Sequence, residues 1–191
     1  MIVCGCDPGL DGALAFLDPE TRRIVSMIGM PTLQLTKSSK GTKREISARS
    51  LVVLIERQII APGFVVGRIF IERVSASPQM GVTSAFRFGE GYGEVKGIIA
   101  ALGWPVEYVT AAKWKREMRA PADKDDARMR ACQLMPEDAH LWTPARGIAN
   151  KAQCSGMSEA ALIAYWGAQT LGAAGPGELR LTAPGVAGLR L

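Results

Sequence analysis

Three short apolar runs open the chain, at residues 2–6, 12–17 and 24–28, and the stretches between them are too short to hold a helix. Such runs bounded by turn residues read as strands, and tight turns make them antiparallel neighbours. Asp7-Pro8-Gly9 marks the first turn. Helical patterns then alternate with single strands. Ser47 supplies an N-cap for a helix carrying Leu51, Val52, Leu54, Ile55, Ile59 and Ile60, which Pro62-Gly63 ends. Residues 64–71 are a β-rich apolar run that delivers Glu72 at its end, and 75–82 read as a loop. A helix is predicted over 83–102 and a strand over 105–109. Thr110 caps a short helix with Trp114 and Met118, and Asp123 begins another that Pro136 stops. Residues 143–156 look irregular, and 158–171 are apolar nearly all round, a helix packed on both sides. This order predicts an α/β sandwich around a mixed sheet and supplies too few βα units for a TIM barrel. Gly89, Gly91, Gly93 and Gly97 on one helix predict close approach of another backbone, from a strand or a partner subunit.

One domain accounts for the 191 residues, at 1–170, with the Gly-, Ala- and Pro-rich 171–191 expected to be a mobile tail. The first apolar run meets Asp7 too soon to be a secretory leader, and no run reaches the ~18 residues of a membrane span. The expected location is therefore the cytoplasm, with no membrane partner. Cys4, Cys6, Cys132 and Cys154 show no C-x-x-C spacing, and His140 is the single histidine. The paired spacing of a structural zinc site is therefore lacking, and a multi-histidine metal site within one chain is excluded. Cys4 and Cys6 alternate along the first strand as small core residues, and His140 is expected at the surface or a helix end. The net charge of +5 favours a polyanionic partner. Its distribution says more: Lys37, Lys40, Lys43, Arg44 and Arg49 face only Glu45 between residues 34 and 49, a stretch expected to be a flexible basic loop.

Three acids stand where apolar segments normally exclude them. Asp7 follows the first strand, Glu72 ends the fourth, and Glu159 opens the last helix. A charge at the edge of a core is costly unless it is paired or bound to a metal. Salt bridges or helix-dipole placement would account for each singly. If the first and fourth strands are adjacent, Asp7 and Glu72 meet and repel, and a divalent cation relieves them. All-oxygen ligation suits Mg²⁺, with Mn²⁺ able to substitute. Gly9 and Gly12 allow either close approach of a phosphate or simple hairpin geometry.

At these residues the chain resembles a known family. Gly5-Cys6-Asp7-Pro8-Gly9, Ile71-Glu72-Arg73-Val74 and Ser158-Glu159-Ala160-Ala161-Leu162-Ile163-Ala164 resemble, in order, the signature blocks of the RuvC-like Holliday-junction resolvases. The stretches 84–93 and 110–115, together with Pro121-Ala122-Asp123-Lys124-Asp125, look like its phage and prophage branch. The resemblance spans residues 1–168. It implies an RNase H-like mixed five-stranded sheet flanked by helices, a homodimer, and Mg²⁺-dependent incision of four-way or other branched DNA. It further implies Asp7, Glu72 and Glu159 as metal ligands and Lys115, or alternatively Lys113, as the basic residue near the scissile phosphate. Lys37, Lys40, Lys43, Arg44, Arg73, Arg87 and Lys113 are the expected DNA contacts.

Two departures qualify the resemblance. The family usually carries a second carboxylate, or sometimes a histidine, about one turn before the final acid, and this chain has Ser155 there, four residues before Glu159. A neutral hydroxyl is a poor substitute for an anionic ligand. Either Ser155 is a change that blocks cleavage, or it belongs to a weak nuclease or a non-catalytic junction binder. Asp125 or Asp126 could supply the missing oxygen, though a solvated helix charge explains them as well. Ser75 stands where bacterial members carry an aromatic wedge, which leaves Phe86 or Phe88 to stack on bases if they are not core residues. A third class, an actin-like kinase relative, is suggested only by the first turn and needs a second nucleotide-binding lobe that this length does not hold.

Overall fold

The computed structural model describes residues 1–38, 41–59, 63–144 and 150–173. Its centre is a mixed five-stranded sheet. Strands β1 (Ile2–Asp7), β2 (Ala13–Asp18) and β3 (Arg23–Gly29) form the antiparallel meander that the turns predict. Strands β6 (Val66–Arg73) and β7 (Val106–Thr110) add on in parallel beside β1. Helices α1 (Ala48–Ile59) and α2 (Val82–Ala101) cover one face. Helices α3 (Ala111–Met118), α4 (Lys124–Leu134) and α5 (Lys151–Ala173), with the short 3₁₀ turn at Pro136–Leu141, cover the other. This is the RNase H-like architecture, a mixed five-stranded sheet flanked by helices.

Alternation along β1 assigns each side chain to a core. Cys4 and Cys6 join Leu51, Ile55, Val95 and Ile99 under α1 and α2, whereas Val3 packs with α5. Both faces are covered, so β1 and β2 are buried nearly end to end. The cysteines form no disulfide. Helix α5 lies directly on β1: a Cβ at Gly5 would come within 2.3 Å of the Ala160 carbonyl oxygen and the Ala164 nitrogen. Farther up, a Cβ at Gly156 would strike the Asp11 carbonyl oxygen at 1.9 Å. These two glycines let the helix backbone touch the sheet and its first turn, which fixes where Glu159 stands.

Three expectations are corrected. The basic stretch is a hairpin rather than a flexible loop: β4 (Thr32–Ser38) pairs with β5 (Gly41–Ile46). Its base is tied down because Met30 and Ile46 are buried and Ser47 N–H donates to the Pro31 carbonyl at 2.8 Å. Helix α5 starts at Lys151, inside the stretch expected to be irregular. Asn150 and Gln153 cap each other reciprocally, Gln153 N–H to Asn150 Oδ1 at 3.0 Å and Asn150 N–H to Gln153 Oε1 at 3.2 Å, which nucleates the first turn. The helix continues to Ala173, so residues 171–173 are not tail, and 174–191 lie outside the described residues. Of the two partners expected for the α2 glycines, a strand of this chain is not the one: among the described residues no neighbouring element comes within 4 Å of Gly89, Gly93 or Gly97, and Gly91 meets the Ile46 side chain.

Other local expectations hold. Ser47 Oγ accepts from Ser50 N–H, and the side chain of Asp123 accepts from Asp125 and Asp126 N–H at the start of α4. His140 is exposed at the end of the 3₁₀ turn. The same turn supplies the buried Asp138, which accepts from Arg23 and from the Ile24 N–H at 3.0 Å and so closes the edge of β3. No helix among the described residues is long and apolar enough to cross a membrane.

Candidate active site

The parallel register places Cys6 beside Ile71, so Asp7 and Glu72 end neighbouring strands side by side. Both lie on the α5 face: Asp7 shares the side of Gly5, and Glu72 the side of Phe70, which packs edge-on against Trp166 at 5.4 Å. The carboxyl ends of parallel strands are where open α/β sheets gather ligands. Glu159, buried in α5, approaches from above, and Lys115 of α3 donates to its Oε1 at 2.7 Å.

The electrostatics show how closely these groups are coupled. Burial pushes the Asp7 carboxyl up to about 6; the Gly9 N–H, which donates to Asp7 Oδ1 at 3.0 Å, opposes the shift, the Glu159 charge adds to it, and Lys124 and Lys115 oppose it. Burial also pushes Glu72 up to about 7, reinforced by Asp7 and then Glu159 and opposed by Lys115 and the Trp114 indole. That indole N–H leans toward Glu72 without completing a hydrogen bond. Two carboxylates with raised proton affinity, one residue from the ends of adjacent strands or closer, form an electron-rich pair that a cation or a proton must balance.

The donor set suits a hard divalent cation, being all oxygen and in excess negative charge. The side chains of the three expected ligands are not gathered on one point in this structure. Asp7, Glu72 and Glu159 share an electrostatic neighbourhood, but among the described residues no three His, Cys, Asp or Glu side chains stand close enough to hold one ion. Glu159 is instead ion-paired with Lys115 at 2.7 Å. Asp7 and Glu72 are thus the two acids that fit a cation, with Glu159 engaged beside them.

Ser155 lies one turn before Glu159, as expected, but is buried and donates its hydroxyl to the Lys151 carbonyl at 3.1 Å. It turns toward its own helix rather than toward the acids. Asp125 supplies no missing oxygen either, being paired with Lys151 at 2.5 Å and Arg128 at 3.4 Å, and Asp126 is exposed on α4. Of the two candidate lysines, Lys115 reaches the acids, whereas Lys113 lies over the Trp166 ring at 5.1 Å.

The expected DNA contacts divide. Lys43 and Arg87 are exposed and line a cleft of about 770 Å³ between the β4–β5 hairpin, the turn after β1 and the first half of α2. Arg44 lines it too, but grips Asp11 with two nitrogens at 2.9–3.0 Å and so fastens the hairpin to the turn beside Asp7. Arg73 is exposed and lies over the Tyr108 ring. Lys40 lies outside the described residues, and Lys37 is described only as backbone of β4. Phe86 is 67% exposed rather than in the core, and Phe88 lines the cleft. Lys124 was not anticipated; its charge acts on Asp7 because it is the first residue of α4, a position that the Asp123 cap already implied.

An RNase H-like sheet with paired acids at the ends of its central parallel strands is the class that fold and site define. No family model matches the sequence, and no curated protein matches it. Among solved structures, T. thermophilus RuvC in complex with Holliday junction substrate overlays with a TM-score of 0.52 at 16% identity, covering 87% of this chain and 91% of that one. A Thermus thermophilus RuvC structure gives a TM-score of 0.47 at 15% identity, covering 89% and 96%. The first match shows that the chain has the RuvC-like fold.

Proposed function

We propose that the protein is a divalent-cation-dependent endonuclease that cuts four-way or other branched DNA. The observation that carries this reading is the Asp7–Glu72 pair on adjacent parallel strands, its charge penalised by burial and mutual repulsion. Its fold neighbour was solved with a Holliday junction, which favours branched DNA as the substrate class. Asp7 and Glu72 would hold Mg²⁺ or Mn²⁺, and Glu159 would join them as a further ligand on leaving Lys115. A cation bound there supplies Lewis-acid stabilisation of the phosphate and activation of water. Lys115 orients Glu159 and sets a positive charge beside the acids, and Lys124 adds a second near Asp7. Lys43, Arg73, Arg87 and, on release from Asp11 and Trp166, Arg44 and Lys113 would hold phosphates, and Lys37 and Lys40 are proposed with them from the sequence. Phe86, exposed at the start of α2, would stack on an unpaired base.

A homodimer would set two sites on opposed strands, and the side of α2 at Gly89, Gly93 and Gly97, which no neighbouring element among the described residues approaches, would be its contact face. The setting is the cytoplasm of a bacterial or phage-infected cell, in line with the phage-branch resemblance. A second reading, a junction binder that does not cut, is favoured by Ser155 and by the Lys115–Glu159 pairing. Cleavage assays with Mg²⁺ on four-way and linear DNA decide between them. The nuclease reading expects junction cutting that Asp7→Asn and Glu72→Gln each abolish. Junction binding without cutting, also after Ser155→Asp, establishes the second reading, and equal weak affinity for both DNAs removes both.

A further inference from the structure

On the opposite face of the sheet from the acids stands a second group of side chains, of which Arg73 alone has been given a part, as one of several phosphate contacts. Arg73 follows Glu72 on β6 and points to the α2 side, as Ile71 does. Its guanidinium carbon stands 6.0 Å from the centre of the Tyr108 ring. Lys96 of α2 places its ammonium 5.4 Å from the same ring and 5.0 Å from that of Tyr92. Tyr108 lies on the edge strand β7 and is 39% exposed. Neither cation has an ion-pair partner among the described residues. The sequence provides none locally: one turn from Lys96 on α2 stand Tyr92, Gly93, Ile99 and Ala100, and across the ladder from Arg73 stands Thr110. Two like charges gathered on one ring, within about a Debye length of each other, repel. Ring quadrupoles offset part of that repulsion, and an anion would offset the rest.

We infer that Arg73 and Lys96, presented on Tyr108, form a phosphate-binding site for a DNA strand as it crosses the β7 edge of the sheet. The inference rests on the nuclease reading and adds to it the path of the strand. Arg73 and Glu72 are consecutive residues on opposite faces, so a strand whose phosphate lies at the acids reaches the cation pair by rounding the ends of β6 and β7. Tyr108 acts as a positioning residue: its ring gathers the two charges and needs no hydroxyl to do so. Such a contact carries no sequence information and contributes a salt-dependent share of affinity.

The test is the salt dependence of binding of a fluorescent four-way junction, measured without divalent cation. Arg73→Gln/Lys96→Gln is expected to weaken binding about tenfold near 0.1 M salt and to lower the slope of log K against log salt by about 1 or more. Tyr108→Phe keeps both values, and Tyr108→Leu moves them in the direction of the double variant. Arg22→Gln/Arg57→Gln removes the same charge from the far end of the sheet and is expected to leave the slope unchanged; melting curves of every variant establish that it is folded. Wild-type binding with a normal salt slope that persists in the Arg73/Lys96 variant overturns this inference alone. Absence of wild-type binding overturns the nuclease reading and the inference together.

Discussion

Replacing Asp7 with asparagine is expected to make the cation-free protein more stable at pH 8, although it removes a residue proposed to be essential. Asp7 titrates near 6 in the folded chain, against 3.8 for an unperturbed aspartate. A folded-state pKa above the unfolded value means that the fold binds the proton more tightly. Stability from this group is therefore fully present below pH 4 and lost as the pH rises through 6. The shift of about two units corresponds to about 3 kcal/mol at 1.36 kcal/mol per unit, part of it shared with Glu72. Asparagine keeps an oxygen for the Gly9 N–H and cannot ionise. For a chain of this size, 1 kcal/mol moves the melting temperature by about 2–4 °C. Asp7→Asn should therefore melt about 5–10 °C above wild type at pH 8 in chelator, with the gap closing toward pH 4. Added Mg²⁺ should raise the wild type by RT ln(1 + [L]/Kd), about 2.7 kcal/mol at a hundred times Kd, and leave Asp7→Asn nearly unmoved. Thermal melts across pH 4–8, with chelator or Mg²⁺, measure all of this. A variant that melts at or below wild type at pH 8 in chelator would refute the claim that burial and repulsion strain this carboxylate.

Ser155→Asp places a carboxylate in a buried helix position and is expected to cost about 3 kcal/mol in chelator, with partial recovery in Mn²⁺ if the site accepts a cation; chemical denaturation in each condition reports both. Lys115→Met removes the charge that lowers the proton affinity of Asp7 and Glu72, so it should lower stability at pH 8, abolish cutting and tighten Mn²⁺ binding by calorimetry. Gly156→Ala drives a methyl into the Asp11 carbonyl and should cost more than about 2 kcal/mol by denaturant melt, since backbone must move on both sides. Arg44→Gln breaks a half-exposed pair and should cost no more than about 1 kcal/mol of global stability, yet speed proteolysis within the hairpin.

Local rules made the sheet legible. Turn residues at 7–9 and the short apolar runs at 12–17 and 24–28 dictate the meander, and Ser47, Thr110 and Asp123 announce three helices by their caps. The hairpin escaped because its strands are polar and carry no two-sided apolar pattern; what orders them is the Arg44–Asp11 grip and the burial of Ile46, contacts distant in sequence. The early start of α5 was written in Asn150 and Gln153, a capping pair obscured by glycine and alanine around it. The acids were legible as charges misplaced at apolar borders. Their partition was not: that Lys115 takes Glu159 while Asp7 and Glu72 face each other depends on how α3 packs against α5, and no spacing in the sequence encodes it.

That partition bears on what kind of cation such a site could serve. A caged ion such as a structural Zn²⁺ needs a complete protein ligand set, and this chain does not converge three donors on one point among its described residues. Mg²⁺ makes a smaller demand: it is commonly held by one or two carboxylates, with waters and substrate phosphates filling the remaining positions. Asp7 and Glu72 meet that demand, and their strained charge supplies the drive to take up an ion. Lys115 moderates it, because its ammonium already offsets part of the repulsion that a cation would relieve. A site balanced in this way would bind its metal weakly alone and more tightly once a phosphate completes the coordination. Mn²⁺ affinity that is unchanged by saturating, uncleaved junction DNA would count against that coupling, whereas a several-fold gain would follow from it by linkage.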